Sequence, residues 1–324
     1  MALHSYRLCA LLFIAIMLAE SRAEESDGTG SSAAAVSTPT VYSGLDKKIA
    51  GYTPASDVDA HKMIDVDMMM IEQKFSSCTP GAAMTEATSI YTYGQNSAKG
   101  SGFRNIKGFS LKATEPLGDL FIAYKTAGKH DPHALVEAAL AGADITAAGP
   151  AKALWGNHTA ASGATGGAIA GSCDARKQIV KKTAKFQIMM QYAAHEFEGA
   201  LAAYTSCQYE KAVQHWDEWW AFYAGSKAGA YGGPEAFSYA PYMLPKKRAD
   251  NFGTNTKKST LVDDESAVNC ILLTATKQGL ELLKTRGNDA RLTDISQCMR
   301  AQLKVGLIQV LHATTHQKVT RIPH

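Results

Sequence analysis

Apolar side chains along this chain recur three and four positions apart far more often than they alternate. From Ile179 to Tyr204, the series Ile179, Phe186, Met189, Met190, Ala193, Phe197 and Leu201 marks one face of an amphipathic helix. The same period predicts helices over about 57–77, 81–93, 132–142, 210–223, 266–284 and 293–316. Period-two runs bounded by turn residues, the mark of half-buried strands, are scarce. The expected fold class is all-α.

Three stretches break the helical period. Leu8 to Ala19 is an uninterrupted apolar run behind a basic start with His4 and Arg7, and the small-x-small sequence Ser21-Arg22-Ala23 follows it. Residues 1–23 are therefore expected to be a secretory signal peptide. No later stretch approaches the roughly 18–20 apolar residues of a bilayer span, so no membrane span is expected. Residues 24–50, rich in Ser, Ala, Thr and Gly, read as a flexible leader. Residues 156–172 are Gly/Ala-rich and contain Asn157-His158-Thr159, an N-glycosylation acceptor at Asn157. They are expected to link a first helical repeat, 51–155, to a second, 173–324.

Charge and cysteines narrow the class. The formal net charge is +3 without a dense Lys/Arg stripe, which argues against a nucleic-acid partner. Of the six cysteines, Cys9 falls in the signal peptide, leaving Cys78, Cys173, Cys207, Cys270 and Cys298 in an oxidising compartment. No C-x-x-C or zinc-spaced Cys/His cluster occurs, so disulfides are the expected use, with their pairing left open.

An internal repeat is expected from spacing. When Phe75-Ser76-Ser77-Cys78 is laid on Tyr204-Thr205-Ser206-Cys207, Asp67 falls on Glu196. After three extra residues in the later copy, Glu86 falls on Glu218 and Tyr91 on Tyr223. Gly94 and Ser97 then answer to Gly225 and Ser226, and Arg104 before Phe109 to Arg248 before Phe252. This order suggests duplication into two pseudo-symmetric helical bundles, chance reuse of acids and tyrosines being the alternative.

Two segments carry candidate chemistry. In Tyr192 to Gly199, His195 and Glu198 are three apart and share a helix face. A surface ion pair is the plain alternative to a metal site there. In His215 to Ser226, Asp217 and Glu218 stand beside Trp216, Trp219 and Trp220, with Tyr223 beyond. The indoles read as core, while the carboxylates and the phenol are hard oxygen ligands that favour iron(III). No calcium loop is present. Asp57, Asp59, His61, Asp65 and Asp67 form an acidic first helix, read as a solvated face or a secondary metal site. His312 and His316 read as an exposed terminal helix, and Tyr231, Tyr239 and Tyr242 as a loop able to close over a site.

The segments AAHEFEGALAAY, HWDEWWAFYAGS and LPKKRADNFGT, with IYTYGQNS and Arg104 earlier, closely resemble the algal low-iron-inducible periplasmic proteins. This is the iron-assimilating Fea1 family, related to phytotransferrins, and the likeness covers most of residues 50–285. The H-x-x-E pair also looks like that of imelysin-like proteins, whose fold is two helical bundles, although Ala193 stands where their glycine is usual. The resemblance implies a secreted, periplasmic, non-enzymatic ferric-iron binding protein of a green alga. It implies high-affinity iron assimilation, carbonate as a synergistic anion, and a plasma-membrane iron transporter or reductase as partner. Carried over by position, the metal candidates are His195 and Glu198, then Glu196, Asp217, Glu218 and Tyr223, with Asp67, Glu86 and Tyr91 as the equivalent set. Arg104 or Arg248 would hold the anion through paired hydrogen bonds. Two other readings compete: an H-x-x-E metallopeptidase-like enzyme, which lacks an H-E-x-x-H motif, and an abundant extracellular matrix protein without a tight ligand.

Overall fold

The computed structural model describes residues 48–112, 132–142, 173–226, 239–256 and 266–319. The expected signal peptide, nearly all of the expected leader, the expected 156–172 linker with Asn157, and Tyr231 lie outside them. The chain is mostly helical, as its periodicity predicts. The helices are α1 Asp59–Lys62, α2 Ile64–Lys74, α3 Thr85–Tyr93, α4 Ile106–Lys112, α5 Pro132–Ala141 and α6 Cys173–Thr183. They continue with α7 Met190–Thr205, α8 Tyr209–Ala224, α9 Met243–Phe252, α10 Ala267–Thr285 and α11 Asp289–Val319. The helix expected over 57–77 divides at Met63, and the one expected from Ile179 is two helices joined by a π turn, Ala184–Met189. Helices α4 and α9 escape the periodic reading because one is short and the other is mostly polar. Among the described residues, the strands are β1 Ala98–Lys99 and β2 Gly102–Phe103, paired antiparallel.

The chain forms two compact units, one of Pro54–Ala228 with Phe237–Met243, the other of Met1–Thr53, Gly229–Ala236 and Leu244–His324. In the first unit, α7 and α8 form a hairpin around an aromatic core. Trp216, Trp219, Trp220, Tyr223, Phe197 and Phe222 are all fully buried. Phe197 of α7 lies 5.6 Å from the Trp216 ring and 5.9 Å from that of Trp219. Each such side chain withdraws a large apolar surface from water, at about 25 cal/mol per Å². The three indoles are thus core, and they hold the polar edge of α8 against α7.

Arg176 of α6 pins the same unit at its far side. Its guanidinium is fully buried and donates to the carbonyls of Ala139 (2.7 Å), Leu140 (3.0 Å), Ala82 (2.8 Å) and Thr79 (3.3 Å). Two of these carbonyls end α5, where the helix dipole favours a cation. The Cys78–Cys173 disulfide fastens the same corner, and Arg176 Nη1 lies 3.5 Å from Cys78 Sγ.

In the second unit, α10 and α11 form a hairpin closed over Leu280, Leu283, Leu292 and Ile295. Ser266 caps α10 by accepting from the Asn269 N–H at 3.1 Å, and Arg286 ends it in a left-handed conformation. Replacing Arg176 with methionine would leave buried carbonyls without a donor. Urea denaturation of Arg176→Met is expected to show a loss of about 3 kcal/mol or more. Reduction of Cys78–Cys173 is expected to lower stability by about 4 kcal/mol through the restored freedom of its long loop.

Candidate metal centre

The α7–α8 hairpin brings a buried carboxylate onto an H-x-x-E pair. Glu196 on α7 faces His215 and Glu218 on α8, which are three apart and share a helix face. One ligand atom from each lies within 4.8 Å of the others, close enough for one cation to gather all three after small side-chain movements. Glu196 is only 4% exposed, and its Oε2 lies 2.5 Å from His215 Nδ1. The Tyr192 hydroxyl donates to the same carboxylate. Glu218 Oε1 accepts from Gln214 Nε2 at 2.9 Å and lies 3.3 Å from His61 Nε2. Arg104 closes the group, with Nη1 donating to the Ala98 carbonyl and Nη2 against His61 Nε2.

The surrounding backbone is built to deliver these side chains. Gly94 has φ +70°, and a Cβ there would stand 2.1 Å from the Arg104 carbonyl, so only glycine lets the segment after β2, which carries Arg104, close. Arg104 N–H donates to the Ser97 carbonyl at 2.7 Å. Asp67, fully buried, holds the Gln95 and Asn96 N–H groups and the Asn96 side chain at the same turn. Asp217, also fully buried, accepts from the Ala55 and Ser56 N–H groups and from the Ser56 hydroxyl, fixing the segment that leads into α1 and His61. The Tyr192 ring stacks on Phe109 at 3.8 Å with a 2° tilt, and Phe222 meets both edge-on. These rings form an apolar floor that strengthens the electrostatics above it.

That environment shifts several ionisations. The hydrogen bond to Glu196 raises the His215 pKa above its ordinary value, against the opposing effect of burial. Burial, reinforced by the charges of Glu196 and Glu218, raises the Tyr192 phenol, which therefore keeps its proton unless a cation displaces it. Burial lowers Arg104, partly offset by Glu218. Burial alone would raise Glu218, but hydrogen bonding from His61 and Gln214 holds it below the usual carboxylate value.

The sequence model of the low iron-inducible periplasmic protein family, Fea1, matches residues 28–317. The chain belongs to this family. No curated protein and no solved structure matches it. Among its described residues, no helix is long and apolar enough to cross a membrane.

Of the positions expected from sequence, this Fea1-family chain gathers Glu196, Glu218 and Arg104. His195 and Glu198 are half-buried and are not among the three residues whose ligand atoms meet, although the His195 ring lies 5.8 Å from that of Tyr192. Asp67 and Asp217 bond to backbone, as described. Tyr223 is buried among Trp219, Trp220 and Tyr242, with its ring 4.9 Å from that of Trp219. The Tyr91 hydroxyl lies 2.8 Å from His133 Nδ1, and Glu86 is exposed and paired with Lys74. Arg248 lies on α9, in the other compact unit. The acidic first helix is a solvated face only at its start, where Asp57 and Asp59 are exposed, since His61, Asp65 and Asp67 are buried. Among the loop tyrosines, Tyr239 lies over Lys185 and Tyr242 is buried. The side chains of His312 and His316 lie outside the described residues.

Tyr192 and His215 are additions from the fold, and His61, read from sequence only within the acidic first helix, is brought beside Glu218. The spacing His215-x-x-Glu218 was the available signal, hidden beside the more conspicuous His195-x-x-Glu198. Because the folded His215 pKa is raised, its pairing with Glu196 stabilises the metal-free protein fully below about 6.5 and fades as pH rises through the folded value. Thermal melting of chelator-treated protein is expected to lose this increment between neutral and alkaline pH, and His215→Gln to lack it. Identical pH profiles for the two proteins would contradict the pairing.

Proposed function

We propose that this chain is a secreted ferric-iron binding protein that serves iron assimilation, with Glu196, Glu218, His215 and Tyr192 around the ion. The convergence of Glu196, His215 and Glu218 on one point carries the reading. The donor chemistry supports iron(III) in particular, since carboxylate and phenolate oxygens are hard ligands. A trivalent ion would also displace the Tyr192 proton that burial otherwise retains.

Charge supports an accompanying anion. Two carboxylates and one phenolate neutralise a trivalent ion, but the Arg104 guanidinium beside them leaves an excess positive charge in a poorly solvated place. A carbonate bound between the iron and Arg104 would balance it, through the paired hydrogen bonds that suit a guanidinium. On this reading the protein holds ferric iron outside the plasma membrane and passes it to a transporter or reductase there.

Titration of chelator-treated protein with Fe(III) nitrilotriacetate, with and without bicarbonate, tests the proposal. The expected result is saturable binding, tighter with bicarbonate, and a visible phenolate-to-iron charge-transfer band. Glu196→Gln is expected to weaken binding beyond the roughly 10–100-fold that loss of an outer partner costs. Tyr192→Phe is expected to abolish the band. No saturable binding in either buffer would overturn the reading.

A further inference from the structure

One buried nitrogen in the site faces two incompatible demands. His61 Nε2 lies 3.3 Å from Glu218 Oε1, which calls for a proton on that nitrogen. The same Nε2 meets Arg104 Nη2, and a guanidinium only donates, so it calls for a lone pair there. The other ring nitrogen, Nδ1, is buried and has no hydrogen-bond partner among the described residues. A hydrogen atom cannot satisfy both neighbours of Nε2. A cation between the nitrogen lone pair and the carboxylate oxygen can, because both then act as ligands. Their separation suits this, since two ligands each about 2.0–2.2 Å from one ion stand roughly 3 Å apart.

We propose that His61 Nε2 and Glu218 Oε1 mark a second cation position, and that the Arg104 guanidinium, seated against His61 Nε2, blocks it and keeps the centre mononuclear. The inference rests on the iron-binding reading above. His61 is only 9% exposed, and its ring stands edge-on to Phe222 at 5.5 Å, so it cannot turn easily to solvent. Arg104 is anchored on its other side by the Ala98 carbonyl and by the Gly94 turn. Glu218 thus reaches toward Glu196 and His215 on one side and toward His61 on the other, the placement of a bridging carboxylate. Carboxylate-bridged pairs of ions are a recurrent product of Glu and His on facing helices. Here a side chain stands in for one ion of the pair. Arg104 is then the residue that sets the stoichiometry, with the His61 nitrogen as the donor it covers.

The test counts metal on the full chain after loading with Fe(III) nitrilotriacetate, and separately with Co(II), followed by gel filtration and elemental analysis. In bicarbonate-free buffer, where the anion held by Arg104 has no part, Arg104→Met is expected to retain one equivalent of Co(II) more than the wild type, and Arg104→Lys the wild-type number. Arg104→Met combined with His61→Ala is expected to return to the wild-type number. Arg104→Gln serves as a second neutral replacement should Arg104→Met fail to fold, as judged by circular dichroism. Equal stoichiometry in the wild type and both neutral variants, or an extra equivalent that survives loss of His61, would overturn this inference while leaving the iron-binding reading intact. Absence of metal from the wild type and every variant would overturn both.

Discussion

Glu196 is a carboxylate held almost wholly out of water, and the arrangement of the site follows from what that requires. A buried charge is tolerated only when hydrogen bonds or opposite charges replace its hydration. Tyr192 and His215 provide the hydrogen bonds, and Arg104 provides opposite charge nearby. Each partner comes from a different place in the chain: one from a turn earlier on α7, one from α8, one from the segment that follows β2. The aromatic packing of α7 on α8 fixes the first two partners, and the Asp67 and Gly94 contacts fix the third. Core packing and site geometry are thus one constraint.

Buried acids divide into two kinds here. Asp67 and Asp217 accept hydrogen bonds from backbone N–H groups and so are satisfied by the fold itself, while Asp65 accepts the Ser226 N–H through Oδ2. Glu196 and Glu218 are satisfied by titratable side chains and a neighbouring amide, all of which can exchange a proton or rotate for an incoming ion. Longer side chains reach across a helix interface, whereas the shorter aspartates reach only a nearby turn. Similar residues in one sequence segment, such as Asp217 and Glu218, therefore serve different ends.

Periodicity made the helices legible because apolar spacing is set by the helix itself. It could not reveal the divided helix at Met63 or the π turn, which leave the apolar pattern nearly unchanged. The site was half legible. Glu196, Glu218 and Arg104 could be picked out because the repeat and the family likeness pointed at them. Rotation about each helix decided the rest: one step separates His195 from Glu196 and Asp217 from Glu218, and spacing alone does not say which side chain faces the partner helix. Tyr223 read as a ligand because a phenol among acids suggests metal, yet its fully buried ring belongs to the tryptophan core. His61 was obscured by the acids around it, which suggested solvent where the structure has burial. The internal duplication stays a matter of spacing: Asp67 and Glu196, which the repeat aligns, bond to different kinds of partner.

The π turn at Ala184–Met189 amounts to a helix with one residue inserted. Upstream of it α6 carries the Arg176 anchor, and downstream α7 carries Tyr192 and Glu196. Removing any single residue from the turn would restore an unbroken α-helix and leave every contact residue in the sequence. Because the bulge absorbs the extra residue, α6 and α7 would keep nearly the same rotational phase, with Arg176 and Glu196 still on the faces they now occupy. What the turn adds is local width rather than phase, and a relative lacking one residue here would be expected to keep its ligands at the same positions on the helix.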